Sequence, residues 1–446
     1  MQTVDDDALL DSLLKRAKAQ GADAAEAMLV RGVALSHAQR LGKAERLERE
    51  ESRDLGLRVL IGHSQAFVST TDTTPAAVDE LVARGVAMAR AVPADPWCGL
   101  ADPQQLATSV PEVDSFDPRE PAAESLIEQA TRCEEAARAV AGVTNSEGAE
   151  AGWSATQVSL AGSNGFAGSY AVSRHSLSVS VLAGEGLGME RDYDFTSAVF
   201  AEDLDDPEAV GRRAGERAVR RLNPGRLRTE RLPVVFDPRV SNSLLRHLVG
   251  AVLGPAVARK TSFLKDKLGE RILPAGMAVI DEPHRRRGLR SRPFDAEGLP
   301  TRRTALVEDG VLQTWLLDLA SARQLGLAPT GHATRGVSGP PSPSPSNLYL
   351  MPGTLSPAAL IGEIERGFYV TEMIGMGVNG LTGDYSRGAS GFLIEKGELT
   401  RPITEATIAG NLKQMFLAMT AADDLVFRYG TDAPTLRVDG MTIAGN

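Results

Sequence analysis

The first half of the chain shows two different spacings of hydrophobic residues. Leu9, Leu10, Leu13 and Leu14 recur at the three- and four-residue spacing of an amphipathic helix. The run GLRVLIGHSQAFVST is instead rich in β-branched and small apolar residues, which is typical of strands. Together the spacings predict a helix over 5–20, strands over 24–71, helices over 75–92 and 121–140, strands over 144–199 and a helix over 206–222.

Turn-forming residues separate these predicted elements. Asn164-Gly165 lies between two alternating runs and predicts a β-hairpin in which both residues have positive φ. Asn223-Pro224-Gly225 ends the last of these helices and is the candidate domain boundary, because proline and glycine interrupt regular structure. The predicted division is an N-terminal domain over 1–224 and a C-terminal domain over 225–446.

Beyond this boundary, a buried strand (RLPVVFDP) leads into a helix. Asp237 is predicted as the N-cap of that helix and Pro238 as its first residue. Its apolar face carries Val240, Leu244, Leu248 and Val252. Further helices are predicted over 318–325, 355–366 and 405–422, with short strands between Gly, Pro and Asp turns elsewhere.

The segment SGPPSPSPSN, at 338–347, is unsuited to a regular helix or sheet, since proline fixes φ and lacks a backbone donor. It is predicted to be a surface loop, with a groove-lining segment as the alternative. The whole pattern predicts an α+β protein. Its N-terminal domain would consist of helices and antiparallel strands, and its larger C-terminal domain would be rich in strands.

Composition and charge exclude several classes of protein. Apolar residues make up 42% of the 446, so a core can form. A net charge of −10 argues against sequence-independent binding to nucleic acid. Cys98 and Cys133 do not make a disulfide framework in a chain of this length. No basic, apolar leader and no run approaching about 18 apolar residues is visible, which predicts a cytoplasmic protein that does not contact the membrane.

The histidines offer no local metal motif. No two of them stand four residues apart, and the sequence has no Cys-x-x-Cys pair. A catalytic zinc needs about three protein ligands, so a site here would require distant residues to converge. His247 follows Asp237 on the predicted helix and is predicted to be a structural histidine. Neither a Gly-x-Ser-x-Gly elbow nor a Walker lysine is present. The six histidines are His37, His63, His175, His247, His284 and His332.

The segment GVNGLTGDYSRGASG, at 377–391, is the densest in polar and sterically special residues. Its glycines allow a ligand or another backbone to approach closely. Asp384 and Arg387 can pair with each other or bind a peptide terminus, and Tyr385 combines an apolar face with a polar tip. Two interpretations stay open: a peptide-contacting loop, or a tight turn between core strands with Asp and Ser side chains capping it.

Three segments resemble the TldE/PmbA branch of the TldD/PmbA family of peptidases. They are TGDYSRGASGFLIEKGEL at 382–399, ARKTSFLKDKLGE at 258–270 and PSPSPSNLYL at 341–350. The resemblance covers nearly the whole chain in length and domain order, although the N-terminal third matches only in pattern. It implies the α+β fold given above and a role in a peptidase complex.

The resemblance also concerns the family's metal site. In the TldD branch, the helix that corresponds to 237–260 carries a His-Glu-x-x-x-His zinc motif, which a later cysteine completes. When the shared Arg-Lys after the helix is aligned, the two histidines fall near Arg246 and Ala251, and the glutamate falls near His247. No cysteine follows this helix. The resemblance therefore implies that this chain binds no metal and supplies no catalytic residue.

The family pairs such a chain with a TldD-like subunit that holds the zinc, in a cytosolic heterodimer acting on unfolded or small peptides. In that arrangement the 377–391 segment would line the shared cavity or the seam between subunits, and its backbone would bind an extended peptide by strand addition. The residues expected to contact substrate or partner are Asn379, Thr382, Asp384, Tyr385, Ser386, Arg387 and Lys260.

Other functions stay open on the sequence alone. One is a self-sufficient hydrolase that uses groups such as Asp384 with Tyr385, because catalytic bases can come from any part of a fold. Another is a regulatory or binding protein without enzymatic activity, of the gyrase-modulator type that gave the family one of its names. A homodimer is a further expectation for the chain in isolation.

Overall fold

The computed structural model describes residues 4–445, and the N-terminal part of this range forms an antiparallel sheet with helices beside it. The strands follow the order β3-β2-β1-β4-β5-β6, each antiparallel to its neighbour. The elements are α1 (Val4–Ala19), β1 (Ala24–Arg40), β2 (Lys43–Ile61), β3 (Ser64–Thr70), α2 (Pro75–Ala91), α3 (Ala123–Arg138), β4 (Val143–Gly162), β5 (Ala167–Ala183), β6 (Glu190–Ala198) and α4 (Pro207–Arg220).

The helices all pack on one face of this sheet. Leu29 of β1 is buried in a cluster with residues of α1 and α2, and Ala151 of β4 is buried in a second cluster with residues of α3 and α4. Because successive side chains of a strand point to opposite faces, Met28 and Leu160 belong to the other face. There they pack with Phe294 of the C-terminal part. The sheet therefore separates a helical layer from the rest of the molecule.

The C-terminal part is built mainly from strands. Its elements are β7 (Glu230–Phe236), α5 (Pro238–Val252), α6 (Gly254–Ala258), β8 (Val279–Asp281), β9 (Thr304–Glu308), β10 (Val311–Leu312), α7 (Leu319–Leu325), β11 (Ala333–Thr334), β12 (Ser342–Pro343), β13 (Leu348–Leu350), α8 (Pro357–Gly362), β14 (Arg366–Val378), β15 (Asp384–Glu395), β16 (Glu398–Asn411), α9 (Leu412–Leu417), β17 (Met419–Ala421), β18 (Thr431–Asp432) and β19 (Leu436–Ala444).

The longer C-terminal strands form a barrel. They follow the order β16-β15-β14-β7-β19-β17, and β16 also pairs with β19, which closes the sheet on itself. The neighbours β7 and β14 are parallel, and the other pairs are antiparallel. Leu244 and Leu248 of α5 share a core with Phe236 and Phe368 of the barrel strands. The barrel thus fixes α5 against β7 and β14.

A second sheet has the order β10-β9-β8-β13-β18, and the Pro/Ser-rich segment runs beside it. Ser346 of that segment donates to Asp281 through its backbone nitrogen and through its hydroxyl, each at 2.7 Å. His332 Nε2 lies 3.2 Å from the same carboxylate, and its Nδ1 lies 2.9 Å from the hydroxyl of Thr330. We name Asp281, His332 and Ser346 the buried cluster, since each is at most 2% exposed.

The surface-loop prediction for 338–347 is therefore wrong for its second half. Ser346 and Asn347 are buried, and their side chains satisfy groups of neighbouring loops. Prolines can be buried there without a backbone donor to satisfy, and the intervening serine and asparagine supply the hydrogen bonds that the segment needs.

Two other predictions need correction. Of the hairpin pair, only Gly165 has positive φ, at 97°. The predicted helix over 405–422 is instead the end of strand β16, the short helix α9 and strand β17. Ala406 and Ile408 are buried alternately along β16, which is the period of a strand rather than of a helix.

The α+β class is confirmed, and the predicted positions of α1 to α4 agree with the structure to within a few residues. Asp237 caps α5 as predicted, since its carboxylate accepts the backbone N–H of Arg239 at 2.9 Å. The division at 224/225 stays a prediction. The strands of the first sheet lie before this point, and the barrel strands lie after it.

Candidate functional site

Helix α5 begins at a firmly held N-terminus. Beyond capping the helix, the Asp237 carboxylate accepts the hydroxyl of Tyr369 on β14 at 2.8 Å. Arg239 crosses to Asp192 of the N-terminal sheet at 2.7 Å. Leu244, Leu248 and Val252 are almost fully buried, as the predicted apolar face requires. These contacts fix which side chains α5 turns away from the core.

The other side of α5 lines an open cavity, which we name the α5 cavity. It has a volume of about 300 Å³. Helix α5 contributes Arg246, His247, Gly250 and Ala251, and strand β15 contributes Arg387. The remaining wall is formed by Thr261, Phe263, Met376, Val378, Gly380 and Leu412. The cavity therefore combines apolar walls with two guanidinium groups and one imidazole, a composition suited to ligand binding.

His247 has an unusual environment within the α5 cavity. Its ring meets the ring of Tyr385 edge to face, with 5.8 Å between centroids. Its Nε2 is buried and has no hydrogen-bond partner among residues 4–445. Burial, followed by the charges of Arg387 and Arg246, lowers the pKa of His247 to about 4. The imidazole is consequently neutral near pH 7, and one of its nitrogens is free to accept or donate a hydrogen bond.

The two arginines are not neutralised by neighbours. Within the described part of the chain, neither Arg246 nor Arg387 forms an ion pair, and the predicted pair of Arg387 with Asp384 is not formed. Arg387 Nε donates to the carbonyl of Ile374 at 3.4 Å, which leaves most of its donors free. The α5 cavity therefore carries an excess of positive charge.

The segment between β14 and β15 is a tight turn closed by its own side chains. Asn379 Oδ1 accepts the backbone N–H groups of Leu381 and Thr382 at 2.9 and 3.2 Å. Asp384 accepts the hydroxyl of Thr382 at 2.7 Å and the amide of Asn411 at 3.0 Å. These hydrogen bonds lower the pKa of Asp384. Asn379, Thr382 and Asp384 thus have a structural role in the turn, whether or not they also contact a ligand.

Strand alternation divides the remaining predicted site residues. Tyr385 is buried and Arg387 is half-buried on the side of β15 that faces α5. Asp384 and Ser386 are exposed and line a shallow surface depression of about 610 Å³. Lys260 is exposed, with φ of 59°, at the end of α6 beside Thr261. Their contact with a substrate or a partner stays a prediction.

Tyr385 is buried, and its surroundings determine the state of its hydroxyl group. Its hydroxyl contacts Met373 Sδ at 3.2 Å, and burial raises the pKa of the phenol. The Tyr385 and Asp384 side chains lie on opposite sides of β15. The structure therefore does not bring these two groups together.

Sequence reasoning missed an apolar stretch at the end of β14. Ile374 is 63% exposed and Met376 is 90% exposed, and Leu381 in the turn that follows β14 is 53% exposed. Along this stretch β14 pairs only with β15, because its pairing with β7 is confined to 368–370. We name 372–378 the open edge. A signal was available, since large apolar residues in a glycine-rich strand end have little opportunity for burial.

Within residues 4–445, no group of three or more His, Cys, Asp or Glu is arranged to hold a metal ion. Over that same range, each helix is too short or too polar to span a bilayer. Cys98 and Cys133 are both free and buried.

Models of one protein family match most of the chain. Three models match: PmbA/TldA metallopeptidase domain 1 at residues 25–89, the central domain at 116–222 and the C-terminal domain at 229–445. The metalloprotease PmbA of Escherichia coli O157:H7 is 39% identical over 425 residues, covering 95% of this chain and 92% of that protein. A Haemophilus influenzae protein named as a homologue of the metalloprotease TldD is 29% identical over 48% of each chain.

Solved structures share the fold over its full length. A Bacteroides thetaiotaomicron protein, described as a proposed modulator of DNA gyrase, superimposes with a TM-score of 0.92 at 28% identity, with 100% of both chains covered. The TldE protein of Thermococcus kodakarensis superimposes with a TM-score of 0.89 at 22% identity, over 98% of this chain and 100% of that one.

Proposed function

Because the chain belongs to the TldD/PmbA family, we propose that it is the subunit of a TldD/TldE-type peptidase complex that binds no metal. In this proposal a TldD-like partner holds the zinc and cleaves the peptide bond. This chain binds unfolded peptide and completes the chamber in which the peptide is held. The residues at the α5 cavity carry the proposal.

These residues do not fit a zinc ion. The resemblance places the family's two zinc-binding histidines near Arg246 and Ala251, and both of these residues line the α5 cavity. A guanidinium stays protonated and donates only, and a methyl group has no lone pair to offer. His247 alone falls short of the about three ligands that a catalytic zinc needs. The charges of Arg246 and Arg387 would in addition repel a cation.

The same residues suit an anionic part of a peptide. Arginine donates two parallel hydrogen bonds to a carboxylate, and such charge-assisted bonds are stronger than neutral ones. Arg246 and Arg387 are free to do so, while the neutral His247 offers an uncharged hydrogen-bonding group in the same cavity. A C-terminal carboxylate or an acidic side chain of the peptide would bind here.

The open edge suits the peptide backbone or the partner subunit. Its unpaired N–H and C=O groups can add a strand without regard to sequence. An exposed apolar strand edge also favours aggregation unless another chain covers it. Ile374 and Met376 on this edge therefore support an interface with a second subunit, with extended peptide bound nearby.

Zinc content and peptidase activity, measured together, test the proposal. We expect the purified chain alone to hold no stoichiometric zinc and to leave an unfolded peptide intact. Mixing it with a TldD-like subunit should produce cleavage that a chelator abolishes. The matched control is the partner alone, which should be less active than the mixture. Chelator-sensitive cleavage by this chain alone would refute the proposal.

A stand-alone hydrolase based on Asp384 is less well supported. Hydrogen bonds from Thr382 and Asn411 lower the pKa of Asp384, which weakens it as a base. Tyr385, its suggested helper, is directed into the core. If the lone chain does cleave peptide, Asp384→Asn decides the matter: unchanged activity eliminates this alternative.

Regulation of gyrase is a second candidate function, because a full-length structural relative carries the description of a proposed gyrase modulator. The net charge of −10 disfavours direct contact with DNA but leaves a protein contact open. A pull-down with purified gyrase tests this candidate, and absence of binding at micromolar protein would remove its support.

A further inference from the structure

A second cavity, lined by none of the residues of α5, lies between the N-terminal and C-terminal parts of the molecule. It has a volume of about 280 Å³. One wall is the face of the N-terminal sheet that carries Met28, Leu160 and Tyr170. The opposite wall is formed by Phe294 and its neighbours, and by the loop that carries Arg335. We name this space the interdomain cavity.

Arg335 lines this cavity, and its guanidinium has no hydrogen-bond partner in the described range. Its side chain is 0% exposed, and its Nε, Nη1 and Nη2 atoms have no hydrogen-bond partner among residues 4–445. Nη2 lies 3.0 Å from Glu26 Oε2, yet the N–H is not directed at that oxygen. Arg58 Nη1 lies 3.6 Å from the same oxygen. One carboxylate is thus shared between two buried guanidinium groups.

This arrangement is costly for a protein without a ligand. Arginine remains charged even when buried, and a buried charge requires both a counter-charge and hydrogen bonds. Native proteins leave few buried donors unpaired, and three on a single side chain indicate that a partner is absent. The missing partner must be an acceptor, since a guanidinium has no lone pair to offer.

A second arginine lines the same cavity. Arg292 is 8% exposed and donates through Nη2 to the carbonyl of Ser344 at 2.7 Å, while its Nε has no partner in the described range. The nearby Asp295 is occupied by its own loop, because its carboxylate accepts backbone N–H groups of Glu297 and Leu299, each at 2.9 Å, and of Ala333 at 3.1 Å. Asp295 therefore uses its lone pairs within its own loop and forms no direct ion pair with either arginine in the described range, although its charge lies near Arg292.

The Pro/Ser-rich segment holds Arg335 in this position. Strands β11 and β12 form a short ladder on either side of the loop, and β12 belongs to that segment. The carbonyl of Val337 in the loop lies against Gly56 of β2, so closely that a Cβ on Gly56 would come within 2.2 Å of it. A side chain at position 56 would thus push the loop away. Gly336, next to Arg335, is exposed and marks the opening of the cavity.

From this geometry we infer that the interdomain cavity binds a small organic carboxylate. Its charged end pairs with Arg335 and Arg292, and its apolar body packs on Met28, Leu160 and Phe294. The walls exclude a purely polar anion as the best ligand, because they bury apolar surface with few other hydrogen-bonding groups. Bound there, the ligand contacts both halves of the chain. This site is separate from the α5 cavity and does not depend on the proposed function.

The test is a thermal-unfolding titration of the full chain with three probes: hexanoate, inorganic phosphate and hexanol. A ligand that binds only the folded state raises Tm in a saturable manner. We expect such a rise with hexanoate, a smaller one with phosphate and none with hexanol. No saturable rise with hexanoate would overturn the inference, and so would an equal or larger rise with phosphate.

Variants locate the response. Arg335→Met keeps much of the side-chain volume and removes one of the two guanidinium groups that share Glu26, so it should abolish the hexanoate response. Because Arg58 remains beside the Glu26 carboxylate, Tm without hexanoate should not fall. Arg286→Met is the matched control, because Arg286 is 82% exposed on another surface and should leave the response intact. Val158→Phe, which fills the apolar end, keeps the test decisive if the first variant fails to fold. An undiminished response in Arg335→Met or in Val158→Phe would contradict the assignment.

Discussion

The buried cluster and the α5 cavity are two polar regions of the same C-terminal half, and they differ in how completely their groups are paired. In the buried cluster the Asp281 carboxylate accepts two hydrogen bonds from Ser346 and lies next to His332, which also contacts Thr330. In the α5 cavity, His247 Nε2 has no partner in the described range, and Arg246 and Arg387 lack a counter-charge there.

This difference distinguishes polar groups that stabilise the fold from polar groups that are available to a ligand. Paired polar groups stabilise the fold, and removing one leaves its partners buried and unsatisfied. Unpaired groups at an open cavity contribute little to stability and remain available to a ligand. Histidine occurs in both regions, which means that the residue type alone does not distinguish them.

The largest expected change in stability comes from a substitution that disrupts the buried cluster. Asp281→Ala removes the carboxylate that accepts both hydrogen bonds of Ser346 and lies beside His332. Because these buried groups are left without their partner, we expect a loss of about 3–5 kcal/mol in the free energy of unfolding. Urea denaturation measures this loss. Ser346→Ala is the milder control and should cost about 1–3 kcal/mol. A cost below about 1 kcal/mol for Asp281→Ala would show that the cluster is not structural.

The next effect concerns the α5 cavity and should be seen in binding rather than in stability. Arg246→Gln together with Arg387→Gln should change the free energy of unfolding by no more than about 0.5 kcal/mol. Binding of an acidic unfolded peptide should weaken by about 1.5–3 kcal/mol through lost charge-assisted hydrogen bonds. Fluorescence anisotropy with a labelled peptide measures the affinity, and the same peptide with an amidated C-terminus and no acidic side chain is the control. Equal weakening for both peptides would count against carboxylate binding.

A third prediction uses pH to test the burial of His247. Its pKa falls from 6.5 to about 4 on folding, so the folded state disfavours the protonated ring. The resulting stability is fully present above pH 6.5 and is lost as the pH falls from about 6.5 to about 4. Discounted because the ring is half-buried, the loss is about 1–2 kcal/mol. Urea unfolding of His247→Gln over this range should show a shallower decline than the wild type. An identical decline would exclude His247 as the source.

The smallest expected effect concerns an exposed apolar side chain, Met376 on the open edge. Met376→Ser on the open edge should leave the free energy of unfolding unchanged within about 0.5 kcal/mol, because the side chain is 90% exposed. Association with a TldD-like subunit should weaken by about 1 kcal/mol, as for a moderate interface residue. Surface plasmon resonance measures this affinity, and Leu47→Ser, at a 54% exposed position on β2 of the N-terminal sheet, is the control. Equal association of both variants would remove the open edge from the interface.

The sequence predicted local features better than distant ones. The N-cap at Asp237 and the apolar face of α5 depend on neighbours a few residues away, so the sequence pattern suffices. The second half of strand β16, at 405–411, is predicted as helix by the sequence pattern. A short apolar run fits both the spacing of a helix and that of a strand, and only pairing with a neighbouring strand decides between them.

The environments of the site residues could not be predicted in the same way. His247 lacks a partner because of where β15 places Tyr385 and Arg387, far along the chain. Arg335 is buried because Val337 rests on Gly56, and no local pattern reports that contact. The open edge was missed because exposure depends on which strands pair with β14, and this is a property of the whole barrel.

Closure of the barrel has a consequence for the order in which the protein can fold during synthesis. Strand β19 lies between β7 and β16 in the barrel. Strand β7 is the first barrel strand to be synthesised, and it cannot pair with β19 until the end of the chain has been made. Contacts between such distant segments slow folding and leave strand edges exposed in the meantime. The N-terminal sheet, whose strands pair mostly with near neighbours along the chain, can form while the barrel is still incomplete. The emerging chain therefore passes through a stage with one finished half and one that needs protection from aggregation.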